Sequence, residues 1–155
     1  IKEKFTAAFN RLLLNKDGVL EDCRVMQSVL TDCTEFDQKI ESLMQEITEI
    51  TALTRVCVEQ NAVNVQNQQE FEKRYNGYVE RYEKAKAQVE ELQLERDKRE
   101  SKATAIGGFM FEISEFGEPI QEFSGMLWIA TVDSAKVQRD GRIKFTFQSG
   151  VEIEV

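Results

Sequence analysis

Residues 36–61 read FDQKIESLMQEITEITALTRVCVEQN, and their periodicity decides the fold. Phe36, Ile40, Leu43, Ile47 and Ile50 recur at alternating steps of four and three, and the register continues through Thr54, Cys57 and Asn61. An average step of about 3.5 residues keeps one stripe of a helix turned toward a partner helix, so the stretch predicts a coiled-coil seam. Ile47 and Ile50 make it firm, while Thr54 and Asn61 weaken it towards its end. A second seam lies in residues 71–92, FEKRYNGYVERYEKAKAQVEEL, where Phe71, Tyr75, Tyr78, Tyr82, Ala85, Val89 and Leu92 repeat the same steps. Between the seams, residues 61–70 (NAVNVQNQQE) are polar and carry three Asn, which suits the tip of a helical hairpin. Two seams of similar length joined by a short polar connection predict an antiparallel pair. Arms of roughly 30 residues would extend about 45 Å at the helical rise of ~1.5 Å per residue.

The second register runs on through Arg96 and Arg99 to Ala103, Ile106, Met110 and Ile113, so the seam is apolar, then charged, then apolar. The two arginines either pair with Glu on the facing arm or dock a partner. Gly107-Gly108, inside the later apolar run, is either a hinge between arm and base or a point of close packing. Gly117-Glu118-Pro119 stops the helix.

The two ends of the chain read differently. Residues 1–14 form an amphipathic pattern through Ile1, Phe5, Ala8, Phe9, Leu12 and Leu13. Asn15-Lys16-Asp17-Gly18 is a helix-break signal, followed by a second helix through Val19, Val25, Met26, Val29 and Leu30. Thr31 or Thr34 can cap the next helix. Ser124 is placed to cap a short helix carrying Met126, Leu127, Trp128 and Val132. The last residues switch to period two: Ala135 and Val137, then Ile143, Phe145 and Phe147, then Val151, Ile153 and Val155. Asp140-Gly141 and Ser149-Gly150 are hairpin turn signals between them. Three short strands cannot stand alone, so they must pack on helices, with Phe5, Phe9, Leu12, Leu127 and Trp128 the natural partners. The expected fold is mainly α with an α+β base. A long antiparallel coiled-coil hairpin (residues 35–104, tip near 61–70) projects from helices and a three-stranded antiparallel sheet (residues 1–34 and 105–155).

Composition narrows the chemistry. The 155 residues include 1 Pro, 8 Gly and no His, and the net charge is −8. Without His, imidazole general acid/base schemes, Ser-His or Cys-His nucleophiles and His-ligated zinc fall away. Catalytic residues, bound cofactors and metal ligands are therefore not expected in this chain. Cys23, Cys33 and Cys57 are too widely spaced for a metal knuckle and odd in number for a disulfide framework, so buried reduced thiols and an intracellular compartment are expected. No apolar run reaches membrane-spanning length, so no membrane partner is expected. A start at Ile1 reads as a fragment of something longer.

Charge is uneven. Lys2, Lys4, Arg11 and Lys16 against Glu3 leave residues 1–16 at +3, and residues 134–155 stand at +1, so residues 17–133 carry −12. An acidic arm suits protein partners, and the basic base is the candidate phosphate-facing side. There Lys136, Arg139, Arg142 and Lys144 gather near one turn, where they either contact DNA or only solubilise the sheet. At the tip, Val63, Val65, Phe71 and Tyr75 are the candidate interface: either they close the hairpin's own core, Phe71 and Tyr75 above all, or Val63 and Val65 expose a small apolar surface for a second coiled coil.

The order of these features resembles a known family. FTAAFNRLL (residues 5–13) opens the chain, NAVNVQNQQEFEKRYNGYVERYEKAKAQVEEL (61–92) forms the tip and returning arm, and EFSGMLWIATVDSAKVQRDGRIKFTFQSGVEIEV (122–155) closes it. Together they look like the C-terminal region of large serine recombinases, the phage-type integrases and transposases of the resolvase-invertase superfamily. The resemblance implies a base that is the later part of a zinc-ribbon DNA-binding domain, with the zinc ligands upstream of Ile1 and none among the three cysteines. It implies attachment-site DNA as the partner of the base in the full-length protein. Other recombinase subunits would meet the arm, which controls synapsis, and a recombination directionality factor would select arm trajectories. The serine chemistry would belong to a catalytic domain outside this chain, in a bacterial, nucleoid-associated setting. The competing expectation is a free-standing cytoplasmic coiled-coil adaptor whose sheet is only a cap.

Overall fold

A computed structural model of the chain describes residues 1–63 and 67–155. In chain order the elements are α1 (Lys2–Leu13), α2 (Lys16–Thr31), α3 (Thr34–Val63), α4 (Gln68–Ser114), α5 (Gly125–Thr131), β1 (Val132–Val137), β2 (Ile143–Phe147) and β3 (Glu152–Glu154). The fold is mainly α, with a small antiparallel sheet of order β1-β2-β3. Two compact units divide the chain: Ile1–Asp32 with Arg99–Val155, and Cys33–Lys98. The border on α4 falls at Arg99 rather than at Ala105.

In the Cys33–Lys98 unit, α3 and the first part of α4 run antiparallel. Arg81 pairs with Glu46 at 3.2 Å and Arg96 with Asp37 at 3.4 Å, so positions rise on one helix as they fall on the other. The seam follows the periodicity. Ile50, Cys57, Ala85 and Val89 are buried, and Phe36, Ile40, Leu43, Ile47, Tyr78, Tyr82 and Leu92 are half-buried. Thr54 sits on the seam at little polar cost because its hydroxyl donates to the Ile50 carbonyl at 2.8 Å. α3 extends to Val63, past the Asn61 where the seam weakens.

The other unit is built around α1. Phe5, Ala8, Phe9 and Leu12 are all at most 2% exposed. Their spacing lays one stripe of the helix on the sheet, and each buried Phe contributes about 2–3 kcal/mol. Phe5 is the hub, with ring centroids 5.2 Å from Trp128, 5.6 Å from Phe123, 5.8 Å from Phe9 and 6.2 Å from Phe145. Ile106, Phe109 and Ile113 of α4 close the same core. Ser124 caps α5 as its position suggests, its hydroxyl accepting from the Leu127 amide at 3.3 Å.

Three local expectations need correction. The break expected at residues 15–18 is only Leu14 and Asn15, and Lys16, Asp17 and Gly18 lie inside α2. α2 buries Val19, Leu20 and Cys23, while Val25 and Val29 face solvent because the core lies on the other stripe. Val132 starts β1 instead of ending α5, and the register shifts at a bulge between Val132 and Ser134. Ala135 and Val137 do share a face with Phe145 and Ile143, yet both are exposed, because β1 is an edge strand beyond the cover that α1 gives β2 and β3. Both turn glycines adopt positive φ, 84° at Gly141 and 80° at Gly150, which is what those turns require of them.

Candidate functional site

The β1–β2 hairpin brings Lys136, Arg139, Arg142 and Lys144 together, but not as four equivalent cations. Lys136 stands opposite Lys144 across the strands, and Lys144 stands opposite Glu154. Lys144 Nζ is 2.5 Å from Glu152 Oε2. Arg142 pairs with Asp140 at 2.6 Å and also with Glu154. Asp140 shapes its own turn as well, accepting from the Arg142 amide at 3.0 Å. Hydrogen bonding from the Arg142 side chain, then from its amide, holds the Asp140 carboxyl below its ordinary value, and the same contact raises the Arg142 guanidinium. Two of the four cations are thus neutralised within the sheet. Among the described residues Lys136 and Arg139 form no ion pair, and both are exposed.

The cations of the first helix are engaged inside the same unit, which sequence reasoning missed. Lys2 Nζ lies 5.4 Å from the centre of the Phe123 ring. Lys4 donates to the carbonyls of Gly141 (2.7 Å) and Val155 (3.3 Å), and Arg11 donates to that of Glu154 (2.8 Å). Lys16, at the start of α2, donates to the Phe116 carbonyl at 2.8 Å, just beyond the end of α4. These charges clamp helices to the sheet and to the segment after α4. The partners of Lys4, Arg11 and Lys16 are backbone carbonyls, which have no sequence signature.

Arg96 and Arg99 separate in role. Arg96 pairs with Asp37, an Asp and not the Glu that the flanking pattern suggested. Arg99 donates to the carbonyls of Val29 (2.6 Å) and Asp32 (3.3 Å). The last turn of α2 contains no basic residue, so α4 supplies the cation that its C-terminal carbonyls favour.

At the tip, Val63 is 82% exposed. Phe71 and Tyr75 stack on one face of α4 with centroids 5.8 Å apart, Phe71 half-buried and Tyr75 more open. Val65 lies outside the described residues. A groove of about 560 Å³ runs along α4 beside Lys73, Arg74, Gly77, Tyr78 and Arg81. Gly77 lies in its lining, where a Cβ would meet nothing within 4 Å.

Gly107 and Gly108 lie within unbroken α4. A Cβ at Gly107 would stand 2.9 Å from Gln27 Nε2, whereas one at Gly108 would meet nothing within 4 Å. Gln27 donates to the Ala103 carbonyl at 3.2 Å, and Gly107 leaves this amide its room.

Cys23 is buried in the core, and burial first, then Asp22, raises its thiol above the ordinary value. Cys57 is buried in the seam and Cys33 is half-buried. Among the described residues no three His, Cys, Asp or Glu lie together as metal ligands would. Among the same residues no helix is long and apolar enough to cross a membrane. Comparison with known protein families, curated proteins and solved structures finds no match.

Proposed function

We propose that this chain is a non-catalytic C-terminal region of a large serine recombinase. The unit that holds the sheet would assist binding to attachment-site DNA, and the helical hairpin would carry contacts with other recombinase subunits and a directionality factor. Recombination chemistry would belong to another part of the parent protein, as would its zinc. The reading is supported by the order of elements: a basic amphipathic helix, a long heptad hairpin, and a DGRIKF hairpin packed on that first helix. The observation that carries the DNA-binding role is the pair of exposed cations, Lys136 and Arg139, that form no ion pair among the described residues.

The test is a salt titration of duplex attachment-site binding. Each phosphate neutralised contributes about 0.9 to the slope of log K against log salt. Replacing Lys136 and Arg139 together by Ala should lower that slope by nearly 2. Arg142→Ala should change it less, because Arg142 is already matched by Asp140 and Glu154. An unchanged slope in the double variant would remove the DNA-binding role. The engagement of Lys2, Lys4, Arg11 and Lys16 within the unit favours a second reading, a coiled-coil adaptor with a structural cap. That reading predicts no salt-dependent DNA binding at all. For the arm, Val63→Asp with Val65→Asp should leave DNA binding intact and abolish synapsis.

A further inference from the structure

The two edges of the sheet are treated differently. On β2, the amide and carbonyl of Ile143 both bond to Val155 on the β3 side, at 2.8 and 3.0 Å. Ile143 pairs across with Val137, so the Val137 amide and carbonyl point away from β2. Ala135, two residues back and opposite Phe145, is oriented the same way. The alternate pair Gln138 and Arg142 supplies the bond between the strands, at 2.8 Å. On β3, the outward carbonyl of Glu154 is taken by Arg11 of α1 at 2.8 Å. No such bond exists at β1 among the described residues: the outward groups of Ala135 and Val137 have no partner there.

Side chains mark this open edge as well. Val137 is 69% exposed on the face it shares with Ile143, leaving an apolar surface beside the strand. On the opposite face stands Lys136, and Arg139 follows the strand. An unpaired strand edge is a template for a further strand, and edge lysines select against some partners. A second copy pairing antiparallel about Lys136 would set Lys136 against Lys136, a like-charge pair that opposes self-association. A strand with acidic residues opposite Lys136 and apolar residues opposite Ala135 and Val137 satisfies every group.

We propose that the outer edge of β1 is a docking site for an extended acidic peptide of another protein, added as a fourth strand with alternating acidic and apolar residues. This inference is independent of the recombinase reading: it needs only the open edge and its charge. Where both hold, the peptide and DNA compete for Lys136 and Arg139, so an acidic strand would act as a regulator of DNA binding.

The probe is a fluorescent eight-residue peptide alternating valine and glutamate, titrated into the 155-residue chain by anisotropy. Saturable binding is expected, with amide NMR shifts concentrated at residues 135–137. Val137→Pro removes an outward amide without breaking the β1–β2 ladder and should weaken binding about tenfold or more. Lys136→Glu, which cannot disturb the backbone, should weaken it comparably and turn preference toward a valine–lysine peptide. Equal binding of the glutamate and lysine peptides to the native chain would overturn the charge argument. Undiminished binding by a folded Val137→Pro chain would overturn the strand-addition geometry. Sedimentation showing a dimer that Val137→Pro dissolves would assign the edge to a second copy and also overturn the proposal.

Discussion

Asn10 holds the segment that follows α4, and removing its amide should cost a measurable part of the stability of its unit. Its Nδ2 donates to the Ile120 carbonyl at 3.0 Å and its Oδ1 accepts from the Ile120 amide at 2.8 Å. The two bonds fix the amide orientation, since a flip would oppose donor to donor and acceptor to acceptor. Each is part-buried, and a hydrogen bond of this kind contributes about 1 kcal/mol net. In Asn10→Ala both are lost, which costs about 2 kcal/mol before any penalty for the orphaned Ile120 groups. Alanine returns about 0.6 kcal/mol as the better helix former in α1. The net expectation is a loss of about 1.5 kcal/mol. Trp128, the only tryptophan, packs against Phe5 and Phe145 in the same unit, so urea denaturation followed by its fluorescence reports the right transition. Asn10→Asp should lose at least as much, because a carboxylate keeps the bond from the amide but faces the carbonyl with no donor. An Asn10→Ala chain as stable as the parent, or more stable, would refute the clamp and leave only helix propensity.

Three further outcomes follow from the same structure. Gly108→Ala should stabilise the chain by up to about 1 kcal/mol, because nothing meets the new methyl group, whereas Gly107→Ala should gain little because it displaces Gln27 from Ala103; thermal melts would separate them. Arg99→Met should destabilise by about 1 kcal/mol through the loss of the α2 cap, with partial rescue by Lys, as read from urea midpoints at equal m-value. Asp140 has a folded-state value below its unfolded one, so its contribution is present above the unfolded value and fades as pH falls through the folded one. Asp140→Asn should therefore lower stability at neutral pH, where the contribution is fully present, and flatten the acid side of the stability–pH profile so that the two chains converge as pH falls, which acid titration monitored by Trp128 would check.

Much of the fold was legible because it rests on periodicity. The four–three spacing from Phe36 to Cys57 and from Phe71 to Val89 places buried residues where helical geometry must place them. The Gly141 and Gly150 turns follow from the positive φ that other residues resist. Less of the candidate site could be read. Lys136, Arg139, Arg142 and Lys144 look alike in a linear string, and their division into two matched and two unmatched cations depends on Glu152 and Glu154 arriving from β3. Val25, Val29 and Val137 are apolar in the right rhythm and still exposed, because period alone does not say how far the covering helix reaches.

Local periodicity, turn chemistry and charge segregation were thus determined by the sequence alone, since each is a property of neighbours within a few residues. Tertiary structure decided the rest: that Lys4, Arg11 and Lys16 close on carbonyls more than ninety residues away, that Arg99 caps a helix it does not belong to, and that the outer edge of β1 stays open among the described residues. A backbone carbonyl is the same acceptor at every position, so only the folded chain can say which one a cation will find.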